Sequence, residues 1–247
     1  MQLIVPDWPA PGNIQALATS RHGGVSVGPC ASLNLGLHVG DDPAAVAENR
    51  RRLTAVLPRV PLWLRQVHGT RVLRAEDWID TLPAAEIDAD AAHAAAVDLP
   101  CAVMMADCLP VLFCDRAGTE VAAAHAGWRG LCAGVLENTV AAMRAEPDSL
   151  LAWLGPAIGP TKFEVGGEVR EAFMAMDANA AAAFTALPSA GKFLADIYLL
   201  ARQRLARAGL GRVYGGGYCT VSEEARFFSY RRDKTTGRMA ALIWRTG

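Results

Sequence analysis

Apolar and polar positions between residues 100 and 131 fall into runs that read as strands. Residues 102–106 and 109–114 are apolar and are broken by Asp107-Cys108. After a turn at Arg116-Ala117-Gly118, a third apolar run over 121–124 delivers His125 into Gly127-Trp128-Arg129-Gly130. Apolar runs of this length bounded by turn residues mark buried strands, so a hairpin is expected between the second and third runs. With an even loop, 116–119 or 117–118, His125 lies opposite position 110, and Cys108 falls one diagonal step away on the same face. A three-residue loop would separate the two, because a slip of one residue turns every side chain over.

The same reading extends along the chain. Residues 15–19 form a first short strand. Asp41-Asp42-Pro43 opens a helix with an acidic N-cap and proline in the first turn, and Val46, Leu53, Val56 and Leu57 carry its apolar stripe to about residue 57. Strands are expected over 62–67, ending at His68-Gly69, and again from Val72-Leu73. Helices are expected over 130–145, 167–176 and 195–208, and further strands over 150–154, 213–218, 226–230 and 239–244. The acidic, Ala-rich stretch 77–98 reads as a surface loop with one helical turn. Strands and helices interleave without a linker or repeat. The pattern predicts an α+β (α/β-like) single domain over 1–247, with mixed β-sheets flanked by helices.

Composition narrows the function more than the fold. A chain of 247 residues, 52% hydrophobic and 20% charged, is globular and long enough for a sizeable core. Its net charge of −1 gives no electrostatic case for a nucleic-acid or membrane-surface partner. The first residues lack the charge and apolar run of a signal peptide, and no segment has the apolar length of a spanning helix. Six cysteines in a chain this long do not make a disulfide framework, so a cytoplasmic location is expected. Cys30, Cys101, Cys114, Cys132 and Cys219 are expected to be structural, and His22, His38 and His93 to stand in solvated loops. The oligomeric state is left open.

His68, Cys108 and His125 stand out, each at the end of an apolar run beside a glycine or an acid. Two imidazoles and a thiolate suit Zn²⁺ or copper, and three protein ligands with a fourth position open is the catalytic form of a zinc site. The same residues without metal could act as a Cys–His nucleophile pair. The bland alternative is two satisfied histidines and a buried cysteine. Asp107 would orient a histidine or stand behind a metal ligand, unless it only caps a turn. Arg129 sets a guanidinium at the start of the 130–145 helix, an arrangement suited to phosphate, although pairing with a surface acid is the commoner fate of an arginine. Arg21 and Arg231-Arg232-Asp233 are further anion candidates. Gly215-Gly216-Gly217 lacks the dinucleotide-binding pattern.

At these residues the sequence resembles a known family. The stretches are Thr19-Ser20-Arg21-His22-Gly23-Gly24-Val25-Ser26, Ser32-Leu33-Asn34-Leu35-Gly36, Gly40-Asp41-Asp42-Pro43, Gln66-Val67-His68-Gly69, Ala106-Asp107-Cys108-Leu109-Pro110-Val111 and Ala124-His125-Ala126-Gly127-Trp128-Arg129-Gly130. Residues 155–160, Phe163-Glu164-Val165-Gly166 and Arg226-Phe227-Phe228-Ser229-Tyr230-Arg231-Arg232 complete them. Together they resemble the YfiH-like proteins, also called laccase-domain or peptidoglycan-editing-factor-like proteins. The resemblance implies the family's α+β fold and a metal, usually zinc with copper as the alternative, held by the residues matching His68, Cys108 and His125. It also implies small-molecule substrates, purine nucleosides and phosphate, with phosphorolysis of adenosine, inosine and methylthioadenosine and deamination of adenosine.

Three other functions compete. One is hydrolysis of a wrongly incorporated amino acid from a cell-wall precursor by a Cys–His pair. Another is copper-dependent polyphenol oxidation, for which five histidines and one cluster are few. The last is a metal-binding module without turnover. Cys30, where the family often has an aromatic residue, and Asp88-Ala89-Asp90, a loose match to an acidic loop, depart from the pattern.

Overall fold

In the computed structural model, which describes residues 1–81 and 87–247, the strands Leu109–Asp115 and Val121–Ala126 pair antiparallel. Pro110 lies opposite His125, the register of the even loop. Asp115 sets that loop length: its carboxylate accepts the backbone N–H groups of Thr119 at 2.7 Å and Glu120 at 2.9 Å, closing a four-residue connection over 116–119.

This hairpin is the middle of a six-stranded mixed sheet in the order Val213–Gly215, Leu150–Leu154, Leu109–Asp115, Val121–Ala126, Ala91–Ala94, Val72–Arg74. A four-stranded antiparallel sheet, in the order Leu3–Ile4, Ile14–Thr19, Met239–Arg245, Cys101–Met105, packs on one of its faces. Period-two alternation sorts the side chains. Leu112, Cys114, Val121 and Ala123 meet Val103, Met105, Ala241 and Ile243 between the two sheets. Val111, Phe113, Ala122 and Ala124 face the helices Val135–Ala142, Gly167–Met176 and Ile197–Arg207. On the far face of the four-stranded sheet, Ala102, Met104, Ala240 and Leu242 pack on Leu53 of the helix Pro43–Thr54. That helix starts as predicted, with the Asp42 carboxylate accepting the Ala44 N–H at 2.9 Å. Phe113 is fully buried at the sheet–helix contact, where truncation to alanine costs about 3–5 kcal/mol. The result is the expected α+β class, with helices outside two packed sheets.

The site depends on how the chain passes between those sheets. Cys101–Met105 belongs to the four-stranded sheet and Leu109–Asp115 to the six-stranded one. The crossing at Ala106-Asp107-Cys108 requires a positive φ of 102° at Asp107, a conformation that non-glycine residues adopt only where surrounding contacts impose it.

Several expectations are corrected. The stretch 77–98 is no surface loop: it contributes the buried strand Ala91–Ala94, which lies between Val121–Ala126 and the edge strand Val72–Arg74 of the six-stranded sheet, and a short parallel pairing of Ile87–Asp88 with Leu64–Arg65. Its part over 82–86 lies outside the described residues. His93, expected in solvent, sits half-buried on that strand, and burial lowers its pKa. The 130–145 helix is two helices, Trp128–Ala133 and Val135–Ala142, broken at Gly134, whose φ of 104° suits glycine. Residues 226–230 form no strand. They turn, with the Phe227 N–H donating to the Glu223 carbonyl, and lead into the short helix Tyr230–Asp233. The 213–218 strand stops at Gly215, where Gly215 and Gly216 both take positive φ.

Candidate functional site

Cys108 and His125 come together because both sit at one end of the hairpin and share the register that places Pro110 opposite His125. His68 arrives from a separate turn after Leu64–Arg65, with a positive φ of 59°. The ligand atoms of His68, Cys108 and His125 all lie within 4.8 Å of one another. Cys108 Sγ is 3.7 Å from His68 Nε2, and the two imidazole rings stand edge-on with centroids 4.9 Å apart. The hairpin would be too crowded for this if Gly127 had a side chain: a Cβ there would come within 2.7 Å of His68 Cδ2 and 3.0 Å of Cys108 Sγ. One at Gly130 would strike the Gly69 carbonyl at 2.7 Å. The glycines flanking Trp128-Arg129 therefore let the start of the helix Trp128–Ala133 close over the His68 turn.

Asp90 holds both histidines. It is fully buried, and His125 Nδ1 meets its Oδ1 at 2.9 Å, leaving Nε2 for the cluster. The same carboxylate accepts three successive backbone N–H groups, from Val67 at 3.2 Å, His68 at 2.9 Å and Gly69 at 2.7 Å. Burial alone would raise its pKa, but His125 and these donors outweigh burial and hold it below the usual carboxylate range. This is the carboxylate–histidine arrangement that fixes the tautomer and angle of metal-ligating imidazoles.

Asp107, expected to orient a histidine, does not. Its Oδ1 accepts from Thr220 Oγ1 at 2.5 Å and its Oδ2 from the Arg231 N–H at 2.6 Å, so it ties the Cys108 turn to the start of the helix Tyr230–Asp233. Asp90, and not Asp107, is the acid that orients a histidine of the cluster; in the sequence its one signal is its place in Asp88-Ala89-Asp90.

Electrostatics set Cys108 apart. Burial would raise its thiol, yet the charge of His125 and hydrogen bonds to both histidines bring the pKa down to about 6. Burial would lower His125, and Cys108 with Asp90 raises it to about 9. Cys30, Cys101, Cys114 and Cys132 are all pushed up by burial. Cys219 is lowered despite burial by donors that include Ser222 and the Gly159 N–H, which lies 3.3 Å from its sulfur. All six thiols are free.

The donor set fits zinc. A cluster of two imidazoles and an easily ionised thiol, with donor atoms within 4.8 Å of one another, closes around an ion with bonds of about 2.0–2.3 Å after small side-chain shifts. Among the described residues it is the one such cluster of three, and a cavity of about 400 Å³ opens beside it, lined in part by Gln66, Met104, Met105, Tyr230 and Arg238. Gln66 does not face that space with a free amide: it exchanges hydrogen bonds with the Met104 N–H at 2.6 Å and carbonyl at 2.8 Å, as a strand neighbour would. His38, exposed as expected, also lines the cavity.

A second cavity, of about 250 Å³, lies on the other side of Cys108 and includes Arg129 and Arg231. Arg129 is exposed, with its guanidinium 4.3 Å over the Trp128 ring. The other anion candidates are occupied elsewhere. Arg232 binds the carbonyls of Thr220 and Phe227 and pairs with Asp233, and Arg21 binds the carbonyls of Ala31 and Glu224.

Comparison with known proteins gives a consistent answer. A family model described as multi-copper polyphenol oxidoreductase laccase matches residues 15–246. The purine nucleoside phosphorylase YfiH of Escherichia coli (strain K12) is 60% identical over 245 residues, spanning 98% of each chain. A purine nucleoside phosphorylase of Pseudomonas aeruginosa is 57% identical, spanning 98% of this chain and 97% of its own. The crystal structure of protein NMB0706 from Neisseria meningitidis superposes with a TM-score of 0.95 at 54% identity, covering 100% of both chains. No helix among the described residues is long and apolar enough to cross a membrane.

Proposed function

This chain belongs to the YfiH-like, laccase-domain family, and from that premise we propose that it is a zinc-dependent purine nucleoside phosphorylase that also deaminates adenosine. The observation that carries the reading is the convergence of His68, Cys108 and His125 between two cavities, one lined by Gln66 and Arg238 and one bearing Arg129. Residues 1–247 act as one catalytic domain on adenosine, inosine and methylthioadenosine. Six free thiols and a net charge of −1 support work in the cytoplasm on small molecules.

In this reading His68, Cys108 and His125 hold the metal. Bound zinc supplies Lewis-acid activation of water and of polar substrate atoms at neutral pH. Asp90 fixes the His125 tautomer and the His68 turn, so the donors are in place before substrate arrives. Arg129 holds phosphate against the ribose C1′. A phosphate oxygen bonds to C1′ as the C1′–N9 bond breaks, the electron pair passes to the purine, and the base takes up a proton, leaving ribose 1-phosphate. In deamination, water adds at C6 of adenine and ammonia departs, leaving inosine. Asp107 holds the turn that presents Cys108. That the described residues hold one three-residue cluster supports a mononuclear site over multicopper electron transfer, which needs several.

A second reading is favoured by one observation, the lowered thiol of Cys108 beside the raised imidazole of His125 on Asp90. Such a set can act as a nucleophile, base and orienting acid. It supports hydrolysis of a cell-wall precursor amide, in which the sulfur bonds to the carbonyl carbon, His125 hands a proton to the departing amine, and water then releases the acid.

Incubation of the metal-replete protein with adenosine, with and without phosphate, separates the two. Adenine and ribose phosphate that require phosphate, or inosine formed without it, both lost in Cys108→Ala, are the expected products. Absence of both from active-metal protein would contradict the nucleoside reading and favour the hydrolase.

A further inference from the structure

The two cavities share His68, Ala106, Cys108 and Tyr230, so they flank the cluster from two sides. Their polar groups differ. In the first, the Gln66 amide is spent on the Met104 backbone, and Arg238 Nη1 on the Thr236 and Gly237 carbonyls. The second holds two guanidiniums with donors to spare. Arg129 makes no hydrogen bond or ion pair among the described residues and is steadied only by the Trp128 ring at 4.3 Å. Arg231 spends one N–H on the Glu164 carbonyl at 2.8 Å, lies 5.5 Å from the Phe163 ring centroid and pairs with no carboxylate.

Several other arginines of this chain are neutralised by carboxylates. Arg51 and Arg52 share Glu48, Arg204 pairs with Glu137 and Arg226 with Glu223. The one carboxylate lining the second cavity, Asp107, has both oxygens committed, to Thr220 and to the Arg231 backbone. Two guanidiniums without carboxylate partners give one small cavity a positive lining, and ring faces that hold their planes leave N–H edges available to oxyanions.

We propose that the second cavity is the oxyanion half of the substrate site, where Arg129 and Arg231 together clamp inorganic phosphate, and that the first cavity receives the purine, with Tyr230 as the wall they share. The proposal rests on the phosphorolysis reading and adds to it a second arm and a division of the space. Asp107 then couples the halves, because it fixes the Arg231 backbone from the residue next to Cys108.

Binding of inorganic phosphate to the purified protein, measured by calorimetry at fixed ionic strength, is compared for the wild type, Arg129→Gln, Arg231→Gln and Arg231→Lys, beside steady-state phosphorolysis of adenosine. Arg231→Gln is expected to weaken phosphate binding and raise the KM for phosphate about tenfold or more, with the KM for adenosine within about twofold, and Arg231→Lys to recover part of the loss. Arginine-dependent phosphate binding without any phosphorolysis would uphold the clamp and sink the phosphorylase reading. Phosphorolysis with an unchanged KM for phosphate in Arg231→Gln would overturn the clamp and leave that reading standing. An equal rise in both KM values would also overturn it, since a phosphate-specific residue cannot act so.

Discussion

Two turns meet at the cluster, each pinned by one aspartate. On one side Asp90 gathers the His68 turn and His125, accepting four hydrogen bonds while fully buried. On the other Asp107, 9% exposed, accepts two and ties the Cys108 crossing to Arg231. Both sides use a residue with positive φ, His68 at 59° and Asp107 at 102°. The device is the same and its object differs: the Asp90 side organises the donors of the cluster, whereas the Asp107 side connects the cluster to Arg231 of the second cavity. An acid beside a candidate ligand in sequence is therefore a poor guide to which ligand it serves. Asp107 precedes Cys108 and touches neither histidine, while Asp90 lies 35 residues from His125.

The sharpest way to break this comparison is Asp90→Asn. It leaves an uncompensated His125 and points an amide N–H at backbone donors, so chemical denaturation should show a loss of about 3–5 kcal/mol. Chelator competition should show metal affinity down by about 10–100-fold. If Asp107→Asn weakened metal as much, the division of labour would be wrong.

Next is Gly127→Ala, whose Cβ would press His68 and Cys108 apart. A cost of about 1–3 kcal/mol in unfolding experiments is expected, with weakened metal binding and intact secondary structure by circular dichroism. Gln66→Ala strands the buried Met104 N–H and carbonyl, for about 1–3 kcal/mol in the same assay. It loosens both sides, because Met104 lies on the strand leading into the Asp107 crossing. Asp107→Asn is the mildest, near 0.5–1.5 kcal/mol. Its expected signature is a raised KM for phosphate with metal stoichiometry unchanged.

What the sequence made legible follows from where side chains carry a periodic signal. The hairpin, the Asp42 cap and the meeting of Cys108 with His125 come from alternation, turn residues and capping chemistry, all of them local. Two registers stay open at that level, because a loop of three or four residues fits the same turn sequence, and the structure takes the even one. Ala91–Ala94 escaped because alanine has little strand preference, although the strand is buried next to the sheet's edge. Phe227 and Phe228 misled in the opposite direction: both are fully buried, which gives a strand-like composition to a segment that turns. Asp90 was illegible for a third reason. Its partners are backbone groups of a turn more than twenty positions away and a histidine on another strand, a conjunction that exists only once the sheet has formed.

The central claim, that His68, Cys108 and His125 form one metal centre, is tested most directly by titrating metal-free protein with Co²⁺ and following near-ultraviolet absorption. Saturation at about one equivalent with a thiolate-to-cobalt charge-transfer band, lost in Cys108→Ser and weakened in Asp90→Asn, is the predicted result. Stoichiometric cobalt binding with no such band, or a band that survives Cys108→Ser, would contradict it.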